Sequence, residues 1–157
     1  MNPMDTRLGN EPTTQLCDLF GQGRRVLIAE DDEEMRLMLA MTLRRDGFEV
    51  TEARNGLELL DQIAPWLAGL EPPVPIDVII SDVQMPCFTG LEILEGLSEV
   101  RCKPAVILIT AFGDPRTHAA ARSLGAAATF DKPFDLDDLR SALFSLQEDA
   151  PGFEGGI

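Results

Sequence analysis

From position 24 onward, short apolar runs alternate with longer stretches that mix apolar and charged residues. Four runs stand out: Val26-Leu27-Ile28-Ala29, residues 76–80 (Ile-Asp-Val-Ile-Ile), residues 105–109 (Ala-Val-Ile-Leu-Ile) and the weaker 126–130 (Ala-Ala-Ala-Thr-Phe). Residues 48–52 (Phe-Glu-Val-Thr-Glu) add a fifth run that alternates in polarity. Near-continuous Val, Ile and Leu mark strands buried on both faces of a sheet. The stretches between them carry helix signals. Asp114-Pro115 supplies an N-cap and a proline at the first helical position, and Gly125 supplies the stop. Gly47 ends the first helix, and Asp135 with Asp138 opens the last. The pattern predicts five strands alternating with five helices, an α/β fold with a parallel sheet and right-handed crossovers.

Punctuation refines this outline. Pro65 interrupts the second helical stretch and predicts a kink or restart there. Residues 71–75 (Glu-Pro-Pro-Val-Pro) read as a stiff extended connector into the third strand. Residues 1–23 show little periodicity, with only Leu16, Leu19 and Phe20 at helical spacing, and are expected to form a flexible extension. Residues 24–148 are then the single domain, and 149–157 a glycine-rich tail. A chain of 157 residues suits one domain with a sizeable core. Its 27 acidic and 13 basic residues leave a net charge of -14, which argues against a nucleic-acid or anionic-lipid partner. No apolar run approaches the roughly 20 residues that span a bilayer. The start, Met1-Asn2-Pro3-Met4-Asp5, lacks a basic segment followed by an apolar stretch. Cys17, Cys87 and Cys102 have no C-x-x-C spacing. Together these features predict a cytoplasmic protein with free thiols.

In an open parallel α/β sheet, ligands bind outside the carboxyl ends of the strands. The first predicted strand ends in Glu30-Asp31-Asp32-Glu33-Glu34, the third in Ser81-Asp82, the fourth in Thr110-Ala111 and the fifth in Asp131-Lys132-Pro133. Three carboxylates (Glu30, Asp31 and Asp82), a hydroxyl and an ammonium would therefore meet at one edge. Two carboxylates about 5 Å apart repel by roughly 3 kcal/mol at an effective dielectric of about 20. Lys132 alone cannot neutralise three of them, so the site calls for a hard divalent cation with open positions for a phosphoryl group; Mg²⁺ fits, with Mn²⁺ as an alternative. Singly, each residue has an ordinary reading as a cap, a strand residue or a surface charge; at four strand ends together they describe a site. Asp32, Glu33 and Glu34 are expected only to favour the positive N-terminus of the first helix.

The segments Val26-Leu27-Ile28-Ala29-Glu30-Asp31-Asp32-Glu33-Glu34-Met35-Arg36, Asp82-Val83-Gln84-Met85-Pro86 with Gly90, Ile109-Thr110-Ala111 and Asp131-Lys132-Pro133-Phe134 resemble the receiver domain of bacterial two-component response regulators. The resemblance covers residues 24–148 and implies a doubly wound, flavodoxin-like sheet of order 2-1-3-4-5. It also implies that Asp82 is the phosphoacceptor for a histidine kinase or histidine phosphotransferase. Asp31 and Asp82 would then be direct Mg²⁺ ligands, Glu30 would act through water, and the main-chain carbonyl of Gln84 would complete the protein's share. By the same resemblance Lys132 pairs with Asp82 at rest and with a phosphoryl oxygen afterwards, while Thr110 contacts that group and moves toward it. Alignment and cations on the equatorial oxygens are what phosphoryl transfer chiefly requires.

The sequence departs from the family where an aromatic often stands three positions before the lysine; here that secondary switch position is Thr129, beside Phe130. Gln84 and Phe112 occupy positions that tune phosphate lifetime in the family, and the bulk of Phe112 predicts slow self-dephosphorylation. On the first helix, Met35, Met38, Leu39 and Leu43 predict an inward stripe that leaves Leu37 and Met41 as an adaptable docking face, which the resemblance implies meets the phosphodonor. His118 is expected at an ordinary surface position and Cys87 as a spectator thiol. A homodimer through the fourth helix, fifth strand and fifth helix is implied by resemblance alone. The switch is not expected to be an enzyme with a separate substrate. Two alternatives stay open: a receiver module of a larger DNA-binding or ATPase-type regulator, and a Mg²⁺-dependent aspartyl phosphohydrolase. The second would show D-x-D on the first strand, which Asp31-Asp32-Glu33 does not supply.

Overall fold

Five strands alternate with five helices in the computed structural model, which describes residues 24–70, 75–86, 88–100, 103–111 and 115–148. The strands are β1 (Arg25–Ala29), β2 (Glu49–Ala53), β3 (Val78–Asp82), β4 (Ala105–Thr110) and β5 (Ala128–Asp131). The helices are α1 (Glu33–Arg45), α2 (Gly56–Leu67), α3 (Gly90–Leu97), α4 (Pro115–Ser123) and α5 (Leu136–Glu148). All neighbouring strands pair in parallel, in the order β2-β1-β3-β4-β5. The doubly wound sheet expected from the sequence is the one observed.

The continuous apolar runs explain the layering. Val26 and Ile28 of β1, Val78 and Ile80 of β3, and Ile107 and Ile109 of β4 pack with Leu39 and Leu43 of α1 and Leu139 and Leu143 of α5. Their alternates, Leu27, Ile79, Val106 and Leu108, pack on the other face with Leu59 and Ile63 of α2, Ile93, Leu94 and Leu97 of α3, and Ala121 of α4. Because side chains alternate across a strand, a central strand with helices on both faces must be apolar at every position.

Local chemistry sets the element ends, and it moves three of the predicted ones. The Asp32 side chain accepts from the N–H groups of Glu34 and Met35 and so caps α1, a more definite role than a general charge effect. At the other end Gly47 takes φ 100°, the Gly47 N–H donates to Arg44 O and the Phe48 N–H to Leu43 O. That closure uses the Phe48 amide, so β2 begins one residue later than the alternating run suggested. The same happens after α4: the Ala126 N–H donates to Ala121 O, and β5 starts at Ala128 instead of Ala126. In the third run, Ile76 and Asp77 precede β3, and the Asp77 carboxylate accepts from the Arg25 N–H at 2.8 Å, closing the end of the sheet remote from the acidic tips.

Two expectations about helices are corrected. Pro65 does not restart α2; one helix runs from Gly56 to Leu67 with the proline inside it. Pro65 has no N–H to give the Asp61 carbonyl, but only Trp66 and Leu67 follow it before the helix ends, so it costs that bond without splitting the element. The inward stripe of α1 consists of Arg36, Leu39, Ala40 and Leu43, while Met35 is half-buried and Met38 is 43% exposed. Spacing of 3.6 residues per turn allows either choice of stripe, and the helix's seat on the sheet selects the one that includes Arg36. Pro115 begins α4 as predicted, whereas Asp114, residues 71–74, the N-terminal extension and the tail lie outside the described residues.

Candidate functional site

The carboxyl ends of β1, β3, β4 and β5 converge, and ladder bonds extend past the strands to hold their tips. The Val83 N–H donates to Ile109 O at 2.7 Å, and the Lys132 N–H donates to Thr110 O at 2.7 Å. The Lys132–Pro133 peptide is cis. Glu30, Asp82 and Thr110 are all buried, and Asp31 is exposed. Glu30, Asp31 and Asp82 each offer a carboxylate oxygen to one cluster whose atoms lie within 4.8 Å of one another.

One ammonium joins two of these acids. Lys132 Nζ donates to Asp82 Oδ2 at 2.8 Å and to Glu30 Oε1 at 3.0 Å. The remaining oxygen of each acid is also engaged: the Gln84 N–H donates to Asp82 Oδ1 at 2.9 Å, and the Asp32 N–H to Glu30 Oε2 at 3.0 Å. Burial pushes the Glu30 carboxyl up to about 7, and the nearby Asp82 charge adds to the rise; the bonds from Asp32 and Lys132 oppose it without prevailing. For Lys132, burial works to lower the ammonium, but the bonds to Asp82 and Glu30 outweigh it and hold it above its ordinary value.

Glycine shapes the approach to Asp82. A Cβ at Gly90 would stand 2.7 Å from the Asp82 carbonyl oxygen and 3.1 Å from Ser81 Oγ, so only glycine lets the start of α3 lie this close. The Gly90 N–H donates to Val83 O at 3.0 Å, and the Thr89–Glu92 capping box fixes the same helix start. Gly56, at the start of α2, lies against the backbone of Phe88 in the same loop.

The structure thus brings together Glu30, Asp31, Asp82, Thr110 and Lys132, and puts exposed Gln84 beside them through its backbone N–H. Thr129 does not join this cluster. It lies opposite Leu108 on β5 and lines a recess of about 300 Å³ with His118, Arg122 and residues 126–128. The ring of Phe130 turns to the opposite face and packs on Phe134 at 6.1 Å. His118 is more than a surface residue: its Nε2 lies 2.7 Å from Asp131 Oδ1 and ties α4 to the residue before Lys132. Leu37 and Met41 are exposed, 43% and 58%, and Met38 extends that apolar strip. Phe112 and Cys87 lie outside the described residues.

Sequence reasoning missed Arg36. Its side chain is 8% exposed, Nη1 donates to the Glu30 carbonyl oxygen at 2.9 Å, and Nε donates to Glu52 Oε1 at 3.1 Å. The available signal was an arginine at the helical spacing of Leu39, Ala40 and Leu43, where an apolar residue is the usual choice.

Comparison with known proteins agrees with this architecture. The response regulator receiver domain model matches residues 26–144. Sporulation initiation phosphotransferase F of Bacillus subtilis (strain 168) is 31% identical over 119 residues, which cover 76% of this chain and 90% of that protein. The transcriptional regulatory protein PdtaR of Mycobacterium tuberculosis is 40% identical over 121 residues, covering 76% of this chain but 55% of the relative. Among solved structures, a receiver domain protein from Clostridium thermocellum superposes with a TM-score of 0.69 at 27% identity, covering 80% of this chain and 95% of that one. The response regulator TrrA of Thermotoga maritima, solved in complex with Mg²⁺-BeF, gives 0.65 at 26% identity over 78% of this chain and 98% of that one.

Proposed function

The chain belongs to the response regulator receiver family, and on that footing we propose that Asp82 accepts a phosphoryl group from a histidine kinase or histidine phosphotransferase in a Mg²⁺-dependent reaction. The observation that carries the reading is the buried Asp82 carboxylate, held from one side by Lys132 and from the other by the Gln84 N–H, beside two further acids. An Asp82 oxygen attacks phosphorus as the bond to the donor imidazole nitrogen breaks, leaving an acyl phosphate and returning the electron pair to the imidazole. Lys132 meets the charge on the phosphoryl oxygens, and Thr110, buried at the tip of β4, supplies a hydroxyl on the neighbouring strand.

Hard oxygen donors with one shared ammonium suit Mg²⁺. Asp31 and Asp82 would hold it directly with the Gln84 carbonyl. Glu30, whose two oxygens already serve Lys132 and the Asp32 N–H, would act through water. When bound, the ion neutralises charge on the transferring group and aligns it. That TrrA was solved in complex with Mg²⁺-BeF supports a Mg²⁺ site in this fold. Receiver domains are signalling switches, so the phosphoryl group here serves a change of conformation and not turnover. Leu37, Met38 and Met41 offer the phosphodonor an apolar strip on α1.

A second reading concerns the output. PdtaR is named a transcriptional regulatory protein, and this chain spans about half of it, so the same switch would serve as the input module of such a regulator. Among the described residues, no helix is long and apolar enough to cross a membrane, which fits a phosphodonor met in the cytoplasm.

The test is incubation with Mg²⁺ and acetyl phosphate followed by intact-mass analysis. One labile phosphoryl adduct mapping to Asp82 and absent from Asp82→Ala is expected. An adduct that survives in Asp82→Ala, or none in the wild type, overturns the assignment, and turnover of an added phosphomonoester favours the phosphohydrolase alternative.

A further inference from the structure

We infer that Arg36 is a positioning residue for the acid pair: by holding the carbonyl of the peptide that joins Glu30 to Asp31, it fixes where both carboxylates stand for a divalent cation. The inference rests on the proposed Mg²⁺ site and deepens it.

Three observations carry it. The guanidinium is buried, and its bond to the Glu30 carbonyl oxygen, 2.9 Å, lies wholly in the interior. The other end of the fork is anchored: Nε meets Glu52 Oε1 at 3.1 Å, and Arg44 Nη2 meets Glu52 Oε2 at 3.3 Å. Glu52 stands opposite Ile28 in the β1–β2 register, two residues before the acid pair, so the anchor belongs to the adjacent strand. Finally, the flanking backbone is already tied, with the Glu30 N–H on Ala53 O at 3.1 Å and the Arg36 N–H on Asp32 O at 2.9 Å. The Glu30 carbonyl is a further handle on this turn, and Arg36 takes it.

Stability alone does not call for this residue. Burying a guanidinium on an apolar helix face sacrifices its hydration, and a well-packed apolar residue at such a place is often neutral or better. Arginine earns a buried position when its planar fork must reach two acceptors at once. Here the two acceptors are a strand carboxylate and the backbone of the acid pair.

The proposal has a signature in the sign of one measurement. Removing a positive charge near a cation site favours cation binding by Coulomb's law. Removing a positioning group weakens it, by about 10-fold or more for residues that orient ligands. Mg²⁺ affinity of the full chain, followed by calorimetric titration, therefore separates the two. Arg36→Met is expected to bind Mg²⁺ about 10-fold more weakly than wild type. Arg36→Lys keeps the charge but not the fork and is expected to lose nearly as much. Glu52→Gln, which weakens the anchor while leaving the bond to the Glu30 carbonyl, is expected to lose less. Tighter or unchanged binding in Arg36→Met overturns the inference. Should Arg36→Met fail to fold, Arg36→Lys decides: with the charge kept, Coulomb's law predicts no change and loss of positioning predicts weaker binding. Amide exchange at Asp31 and Asp32 without Mg²⁺ is the independent readout, compared at matched global stability in urea. Faster exchange in Arg36→Lys is expected, and wild-type rates there overturn the inference even if no form binds Mg²⁺. Absence of binding by the wild type instead overturns the proposed metal site.

Discussion

The two faces of the sheet hold the site in opposite ways. On the side of α1 and α5, long charged side chains reach across gaps: Arg36 and Arg44 converge on Glu52, and Arg140 forks onto Asp46 at 2.7 and 2.9 Å. On the side of α2, α3 and α4, which is otherwise packed with large apolar residues, the close contacts at the helix starts depend on glycine. Gly90 lies against the Asp82 carbonyl, Gly56 lies against the Phe88 backbone, and the one buried residue of α4 is Ala121. The backbone at Glu30 is thus held by reach and the backbone at Asp82 by proximity. The lesson concerns tolerance. Shortening a fork releases the backbone group it held without driving atoms into one another, whereas a glycine in contact with backbone can be replaced only if that backbone is pushed aside.

The largest way to break the comparison is to add a methyl group on the glycine side. Gly56→Ala and Gly90→Ala are each expected to lower unfolding free energy in urea by about 2–3 kcal/mol, the cost of forcing atoms into a packed contact. Gly90→Ala should also perturb the amide signals of Asp82 and Val83. Stability unchanged in both would show that the loop after β3 yields freely.

Of similar size is a pH effect at the junction of the two faces. With Glu30 raised from 4.5 to about 7 in the folded chain, the native state holds a proton that the unfolded state has lost across that interval. The contribution of Glu30 to stability therefore falls as pH rises from about 4.5 to about 7, by an amount on the order of 3 kcal/mol. Urea unfolding in the presence of a chelator, wild type against Glu30→Gln, measures it. The variant should lack that slope, and a slope that persists would assign the proton to another group.

The smallest effect is expected on the arginine side. Arg140 is 36% exposed and Asp46 11%, so their two-bond fork is partly screened. Arg140→Met or Asp46→Asn should each cost about 1 kcal/mol, with a coupling of similar size in a double-mutant cycle. A cost matching the glycine variants would erase the distinction between reach and proximity.

Much of this molecule was legible before folding was considered. Val26 to Ala29 and residues 105–109 declare strands apolar at every position, Gly47 and Gly125 mark helix ends, and Glu30, Asp31, Asp82, Thr110 and Lys132 stand at strand tips that parallel topology must bring together. Each is a local pattern, readable because strand and helix periods and cap chemistry act over a few residues. What the linear order left undecided depended on contacts between distant segments. Whether Met38 or Arg36 faces inward turned on the seat of α1 against β2, and Arg36 finds Glu52 sixteen positions away. The starts of β2 and β5 turned on which acceptor claimed the amides of Phe48 and Ala126. The rise of the Glu30 carboxyl needed burial, which no stretch of sequence carries by itself. Periodicity and caps are short-range and belong to the chain; desolvation, register and the partner of a buried charge exist only once the sheet has closed around them.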